Sequence, residues 1–183
     1  MSLVLAVTFH LTINQGLRPS MRTKFSLLVL MMFIVSLSFS VAAQVDLVTI
    51  DKSKRRIYLL EQGQTIRTYR IALGKFPQGP KHQEGDQRTP EGDYVLDAIN
   101  LNSNFYKAFH ISYPSAKDIA YAQQHGLNPG GDIHIHGLKN GYQRHPEFIQ
   151  SFDWTNGCIA LTNEEMDEFI RLVPVGTPIH IAW

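Results

Sequence analysis

Cys158 is the strongest candidate for a nucleophile in this chain. It is the only cysteine among the 183 residues, and it directly follows a short polar stretch, Thr155-Asn156-Gly157. His134 and His136 lie upstream, in an apolar–polar alternation that predicts a strand ending at Gly137. A lone cysteine with histidines elsewhere in the chain is typical of a thiolate nucleophile and its base. The alternative is a buried, inert thiol, which the neighbouring polar turn disfavours.

The two histidines allow three interpretations. Residues two apart on a strand project from the same face, so His134 and His136 point the same way. His136 would be the base for Cys158 with His134 as a neighbour, or both histidines would bind zinc together with Cys158. In the third interpretation both are ordinary polar-face residues. A histidine pair of this spacing does not by itself choose among the three.

The turn before Cys158 could also supply hydrogen-bond donors to a reacting group. Gly157 would let backbone N–H groups approach a reacting atom closely and hold a developing oxyanion. Asn156 would add a side-chain amide donor to the same place. The alternative is that Asn156-Gly157 is simply a favourable turn dipeptide.

The N-terminal part of the sequence predicts export. Arg22 and Lys24 precede an apolar run over 25–41, and Ala42-Ala43 supplies the small residues of a cleavage site. We therefore expect residues 1–43 to be a signal peptide, with 1–20 an upstream extension of the start site. Serines dilute the run, which disfavours a membrane anchor. The expected location is the periplasm, within the cell envelope.

Residues 44–183 are then expected to form one domain. Three of the 17 basic residues lie before residue 44, which leaves 14 against 16 acidic residues and a formal charge of −2. This balance argues against nucleic acid or an anionic membrane surface as the partner. Exported proteins usually pair their cysteines, so an unpaired Cys158 would have to be buried or used.

The pattern of apolar residues predicts a mainly β domain with a few short peripheral α-helices. A long loop without periodicity is expected from Gly74 to Gly92 because prolines, glycines and charges are concentrated there. A capping box of Thr162 and Glu165 predicts a helix that ends before Pro174. The predicted strands are 45–50, 55–60, 65–73, 93–99, 109–113, 134–136 and 177–181, and the other predicted helices are 115–125 and 145–152.

Two segments together resemble the signature of the L,D-transpeptidase catalytic (YkuD-type) domain. They are Ile135-His136-Gly137 and the stretch from Thr155 to Asn163, and the likeness extends over most of 44–183. The resemblance implies a β-sandwich without metal or cofactor, in which His136 activates Cys158 as the nucleophile. It implies peptidoglycan stem peptides as the partner and an acyl-enzyme that is passed to an amine acceptor in wall cross-linking, or to water. Oxyanion and substrate contacts would come from Thr155, Asn156, Gly157 and Gly137, with His134 as a neighbour.

Two positions depart from the family pattern. Asn156 stands where the family has a histidine before Gly-Cys, and Ala160 stands where an arginine is usual. Losing the arginine removes a positive charge that would hold a substrate carboxylate. The rival hypotheses are an L,D-carboxypeptidase or amidase with the same acyl-enzyme, a zinc hydrolase, and a non-catalytic wall-binding module. The sequence leaves the oligomeric state open.

Overall fold

A computed structural model describes residues 44–142 and 145–183 of the chain. The predicted signal peptide, residues 1–43, lies outside these described residues and stays a prediction. Within the described part, no helix has the length and apolar character needed to cross a membrane.

Eight strands form one mixed sheet, in the order β3-β2-β1-β8-β4-β5-β6-β7. The first three strands make an antiparallel meander, and the last strand pairs in parallel with β1. The mainly β class predicted from the sequence is therefore confirmed. The strands are β1 (Leu47–Asp51), β2 (Arg56–Glu61), β3 (Gln64–Arg70), β4 (Gly92–Ser103), β5 (Tyr106–Ile111), β6 (His134–His136), β7 (Ile159–Ala160) and β8 (Thr177–Ala182).

The two ends of this strand order meet, so the sheet folds over onto itself. Ala72, just after β3, pairs with Ala160 of β7 through two backbone hydrogen bonds of 3.1 and 2.9 Å. Gly74 forms a second, parallel bridge to Thr155. Apolar residues from both halves of the sheet, among them Leu59 of β2, consequently pack into one buried cluster.

Among the described residues, three helices accompany the sheet: α1 (Ala116–Gln124), α2 (Pro146–Ile149) and α3 (Asn163–Leu172). The predicted capping box of Thr162 is present, since its side chain accepts from the Glu165 N–H and Glu165 accepts in return from the Thr162 N–H. Helix α3 buries Met166 and Phe169, and the Phe169 ring meets Phe109 of β5 edge-on at 5.9 Å. This contact packs α3 against β5.

Several boundaries differ from the prediction for physical reasons. Strand β3 ends at Arg70 instead of residue 73, because the backbone after it turns to pair with Ala160. Strand β4 continues to Ser103 and meets β5 in a hairpin whose turn contains neither glycine nor proline. Helix α2 is a single turn, although the sequence predicts a helix over 145–152.

The predicted loop after β3 is held in place by a buried lysine. The Lys52 ammonium donates to the carbonyls of Gly79 and Thr89 and to the Glu91 carboxylate, each at 2.8 Å, and its side chain is fully buried. Burial lowers the pKa of Lys52, and the bond to Glu91 opposes that shift. The lysine thus fixes a loop that has no periodic structure of its own.

Replacing Lys52 with methionine should destabilise the domain strongly. The variant keeps the aliphatic stem but leaves two carbonyls and a carboxylate without their donor, which we expect to cost about 3 kcal/mol. Urea unfolding followed by fluorescence measures the change. Lys54→Met is the matched control, since Lys54 pairs with Asp51 at the exposed surface and its loss should barely move the midpoint. Equal midpoints for the two variants would contradict the role of Lys52.

Candidate active site

The parallel pairing of β6 and β7 brings the predicted site residues together. His136 lies opposite Ala160, and the same register two residues earlier places Cys158 opposite His134. Because alternate residues share a face, His134, His136 and Cys158 project from the same side of the sheet. Ile135 points the other way and is fully buried in the core.

These side chains line an open cleft of about 540 Å³. The cleft contains His134, His136, Thr155, Asn156 and Cys158, five of the seven predicted site residues. The other two, Gly137 and Gly157, are buried and do not line it. The remaining walls are mostly polar or aromatic: Lys75, Asn100, Asn102, Ser103, Asn104, Phe105, Ala108, Asp132 and Trp154.

Thr155 holds the turn that presents the cysteine. Its hydroxyl accepts a hydrogen bond from the Gly157 N–H at 3.1 Å and donates to the Cys158 carbonyl at 2.7 Å. The Thr155 side chain is nearly fully buried, whereas Asn156 at the tip of the turn is exposed. Thr155 therefore supports the turn from within, and Asn156 is exposed in the cleft.

The two glycines of the motif are required by close packing. Gly157 has φ of +132°, and a Cβ there would lie 2.7 Å from the Arg88 carbonyl oxygen of the loop after β3. A Cβ on Gly137 would lie 2.6 Å from Oδ1 of Asn163, the first residue of α3. That oxygen accepts a hydrogen bond from the Leu138 N–H. Both positions thus lock neighbouring elements against the site.

Cys158 is a half-buried thiol. Its Sγ lies 3.6 Å from the Asp132 carbonyl oxygen, to which it donates. Burial raises the pKa of Cys158, and a hydrogen bond from the His134 backbone N–H offsets only part of that shift. The resting cysteine is therefore protonated at neutral pH and needs a base to become a nucleophile.

His136 has the properties of that base. Only 4% of the residue is exposed, and Nδ1 donates to the Gly137 carbonyl at 2.7 Å, so the lone pair resides on Nε2. The ring lies 4.5 Å from that of Phe105 and 5.8 Å from that of Trp154, centroid to centroid. Burial lowers the pKa of His136 to about 4, which keeps the imidazole neutral and able to accept a proton.

No direct hydrogen bond joins Cys158 and His136 within residues 44–142 and 145–183. In the part of the chain that the structure describes, the sulfur bonds to Asp132 instead. Hydrogen bonds between catalytic groups are often longer without substrate than in the substrate complex. Because Cys158 and His136 line the same cleft, the missing bond does not exclude them as a pair.

His134 is more exposed than His136, and it lies between Cys158 and His110. Its Nδ1 donates to the Asp132 carbonyl at 2.9 Å, and its ring meets His110 edge-on at 5.1 Å. His110 in turn lies 2.6 Å from the Asp97 carboxylate. For the zinc hypothesis, no group of three or more histidine, cysteine or acidic side chains within 44–142 and 145–183 is arranged to hold a metal ion.

Sequence reasoning missed several residues of the cleft. Lys75 and Phe105 approach through pairings that are distant in sequence, and no local pattern marks them. Asp132 contributes its main-chain carbonyl, which any residue type would supply. Only Trp154 could have been predicted from the sequence, because it is an aromatic residue immediately before the turn that carries Cys158.

A second opening reaches Cys158 from another direction. This cleft of about 400 Å³ shares Asp132, Asn156 and Cys158 with the first. Its other walls come from the loop after β3 and the segment before β6, including Lys81 and Glu84. The thiol is therefore accessible from two clefts that meet at the sulfur.

The fold is mainly β, and a histidine and a cysteine line one cleft. The sequence signature of the L,D-transpeptidase catalytic domain, YkuD, matches residues 46–181. The chain therefore belongs to the L,D-transpeptidase catalytic domain family.

Individual relatives agree with this assignment. YafK of Escherichia coli strain K12 is 32% identical over 116 residues, and YqjB of Bacillus subtilis strain 168 is 26% identical over 136; both carry L,D-transpeptidase in their names. The matches cover 62% and 74% of this chain, and 39% of YafK and 70% of YqjB. The chain thus spans less than half of YafK.

Among solved structures, the helical cell shape determining protein Pgp2 of Campylobacter jejuni, as its K307A mutant, is similar. It superposes with a TM-score of 0.58 at 30% sequence identity. The match covers 76% of this chain and 47% of Pgp2, so the likeness is to one part of a longer protein.

The raised pKa of Cys158 should be visible in its alkylation. Only the thiolate reacts with iodoacetamide, so the rate should keep rising with pH beyond the ordinary thiol value of 9.0. Mass spectrometry of timed samples gives the rate for this single cysteine, and the urea-unfolded chain is the control with an ordinary thiol. A rate plateau already reached at pH 5 to 6 would instead indicate a preformed thiolate–imidazolium pair.

Gly157→Ala should disturb both stability and the site. The new methyl group would meet the Arg88 carbonyl in a backbone conformation that favours glycine, at an expected cost of about 2–3 kcal/mol. Urea unfolding measures that cost. Gly63→Ala is the matched control, because it shares a positive φ in the β2–β3 turn but has no atom within 4 Å of the new Cβ. If both variants lose the same amount, close packing against Arg88 has no separate effect.

Proposed function

We propose that this domain is a peptidoglycan L,D-transpeptidase that uses Cys158 as its nucleophile. The observation that supports the proposal best is the state of His136. It is buried and neutral, with its proton fixed on Nδ1 and its Nε2 lone pair able to take the thiol proton within the same cleft. The family assignment supports the proposed substrate class, stem peptides of peptidoglycan.

The proposed reaction begins when His136 Nε2 takes the proton from Cys158. The sulfur attacks the carbonyl carbon of the scissile amide, and the carbonyl oxygen becomes an oxyanion. The Cys158 N–H and the Asn156 side-chain amide are the proposed donors to it, since the Gly157 N–H already bonds to Thr155. The intermediate collapses as His136 returns the proton to the departing amine, which leaves a thioester on Cys158.

The second half-reaction transfers the acyl group. An amine acceptor gives its proton to His136 and attacks the thioester, and the thiolate leaves and is reprotonated. We propose that donor and acceptor reach the sulfur through the two clefts that meet at Cys158. Water in place of the amine would make the domain an L,D-carboxypeptidase or an amidase.

We further propose that the domain acts in the periplasm after export. The support is the sequence pattern of residues 1–43 and the substrate class, since peptidoglycan lies outside the cytoplasmic membrane. Within residues 44–142 and 145–183, no helix long and apolar enough for a membrane span is present.

Site variants test the division of roles. With a disaccharide-tetrapeptide substrate, Cys158→Ala should abolish product, and His136→Gln should lower the rate by about 100- to 10,000-fold because the base is lost. His134→Ala should reduce it less than about tenfold, since the His134 imidazole bonds to the Asp132 carbonyl and is not the proposed base. Mass spectrometry separates the cross-linked dimer of transpeptidation from the tripeptide of hydrolysis.

Two outcomes would contradict the proposal. Equal loss in the His134 and His136 variants together with sensitivity to chelators would favour metal catalysis. Unchanged turnover in Cys158→Ala would exclude a thioester. A tripeptide product with no dimer would retain the acyl-enzyme but replace the amine acceptor with water.

A further inference from the structure

Lys75 is the one lysine or arginine among the described residues that line the main cleft. It is exposed and lies on the loop after β3, three residues beyond the bridge between Ala72 and Ala160. The proposed catalytic steps do not use it. An ammonium group beside a nucleophile, in a cleft whose other polar groups are mostly amides, hydroxyls and imidazoles, is positioned to bind an anion.

The backbone fixes Lys75 next to the turn that carries the cysteine. Its N–H donates to the Thr155 carbonyl at 3.1 Å, and its Nζ lies 3.5 Å from Oδ1 of Asn156, two residues before Cys158. That Nζ contact is long and its acceptor is neutral. A carboxylate would form a shorter, charge-assisted bond and would displace the amide oxygen as the partner of Lys75.

A negative charge elsewhere in the cleft, on Asp132, would help to orient a bound anion. Asp132 also lines this cleft, is exposed, and bonds through its main-chain carbonyl to the Cys158 sulfur. A substrate carboxylate would be repelled from the Asp132 side and attracted to the Lys75 side. The two charges therefore orient a peptide whose carboxylate lies close to the bond that is cleaved.

We infer that Lys75 binds the free α-carboxylate of the residue released from the scissile bond. The inference rests on the proposed function and narrows its substrate class. In a peptide whose last residue is released, that carboxylate lies only two atoms beyond the scissile nitrogen, so it is carried into the cleft with the reacting carbonyl. Lys75 is a specificity-determining residue for peptides with a free C-terminus next to the scissile bond, in preference to interior or side-chain amides.

Matched substrates and variants test this role. A stem tetrapeptide with a free C-terminal carboxylate is compared with the same peptide as its C-terminal carboxamide, for the wild type, Lys75→Gln and Lys75→Arg. Lys75→Gln should lower kcat/KM for the free acid by about 10- to 100-fold, mainly through KM, and leave the amide unchanged. Lys75→Arg should restore most of the loss. Lys117→Gln, an exposed lysine on α1, is the control and should leave both substrates unaffected.

Binding provides a readout that does not depend on turnover. In a Cys158→Ala background, calorimetry with the free-acid tetrapeptide should show weaker binding after Lys75→Gln and no change in binding of the carboxamide. Equal effects on acid and amide, or none on either, would overturn the role of Lys75 while leaving the thioester mechanism intact. A wild-type protein that turns over neither peptide would contradict the proposed function itself, and with it the substrate class assigned to Lys75.

Discussion

The register between two very short strands is the constraint on which the site depends. Strand β7 has only two residues, yet it is bonded on both sides: the Ala160 N–H donates to the Ala72 carbonyl at 2.9 Å, and the Leu161 N–H donates to the His136 carbonyl at 2.9 Å. A slip of one residue would turn Cys158 toward the core and Ile159 toward the cleft. Pairing on two edges excludes that slip despite the shortness of the strand.

The turn before β7 is supported by parts of the chain that are far away in sequence. The Arg88 carbonyl packs against Gly157, and the loop that carries Arg88 is anchored by Lys52, which follows β1. The turn that carries Cys158 therefore depends on the buried ammonium of Lys52, which is far away in sequence. This arrangement also explains why a long loop without regular structure can form one wall of the second cleft.

The sequence predicts those parts of the site that are written locally. Three features are each contained within a few neighbouring residues: the pairing of His136 and Cys158 with their adjacent glycines, the shared face of His134 and His136, and the Thr162 cap. The structure contains that shared face and that cap. The sequence does not predict the partner of the cysteine sulfur, because the Asp132 carbonyl carries no side-chain signature.

The position of the positive charge in the cleft is likewise not predicted by the local sequence. Ala160 occupies the position where the sequence pattern leads one to expect an arginine, and it is fully buried between β6 and the segment after β3. The cation of the cleft, Lys75, comes from that neighbouring segment instead. Only the closing of the sheet brings the segment that carries Lys75 against β7 and the turn before it. Sheet closure is a tertiary feature, so a short sequence pattern does not predict it.

The protonated resting state of Cys158 has a consequence for the chemical survival of the protein. Oxidants such as peroxides react with thiolates far faster than with thiols. The first product is a sulfenic acid, and further oxidation gives irreversible sulfinic and sulfonic acids. Burial keeps Cys158 in the thiol form, and His136 stays neutral beside it. A lone cysteine held in the thiol form would therefore react only slowly with such oxidants.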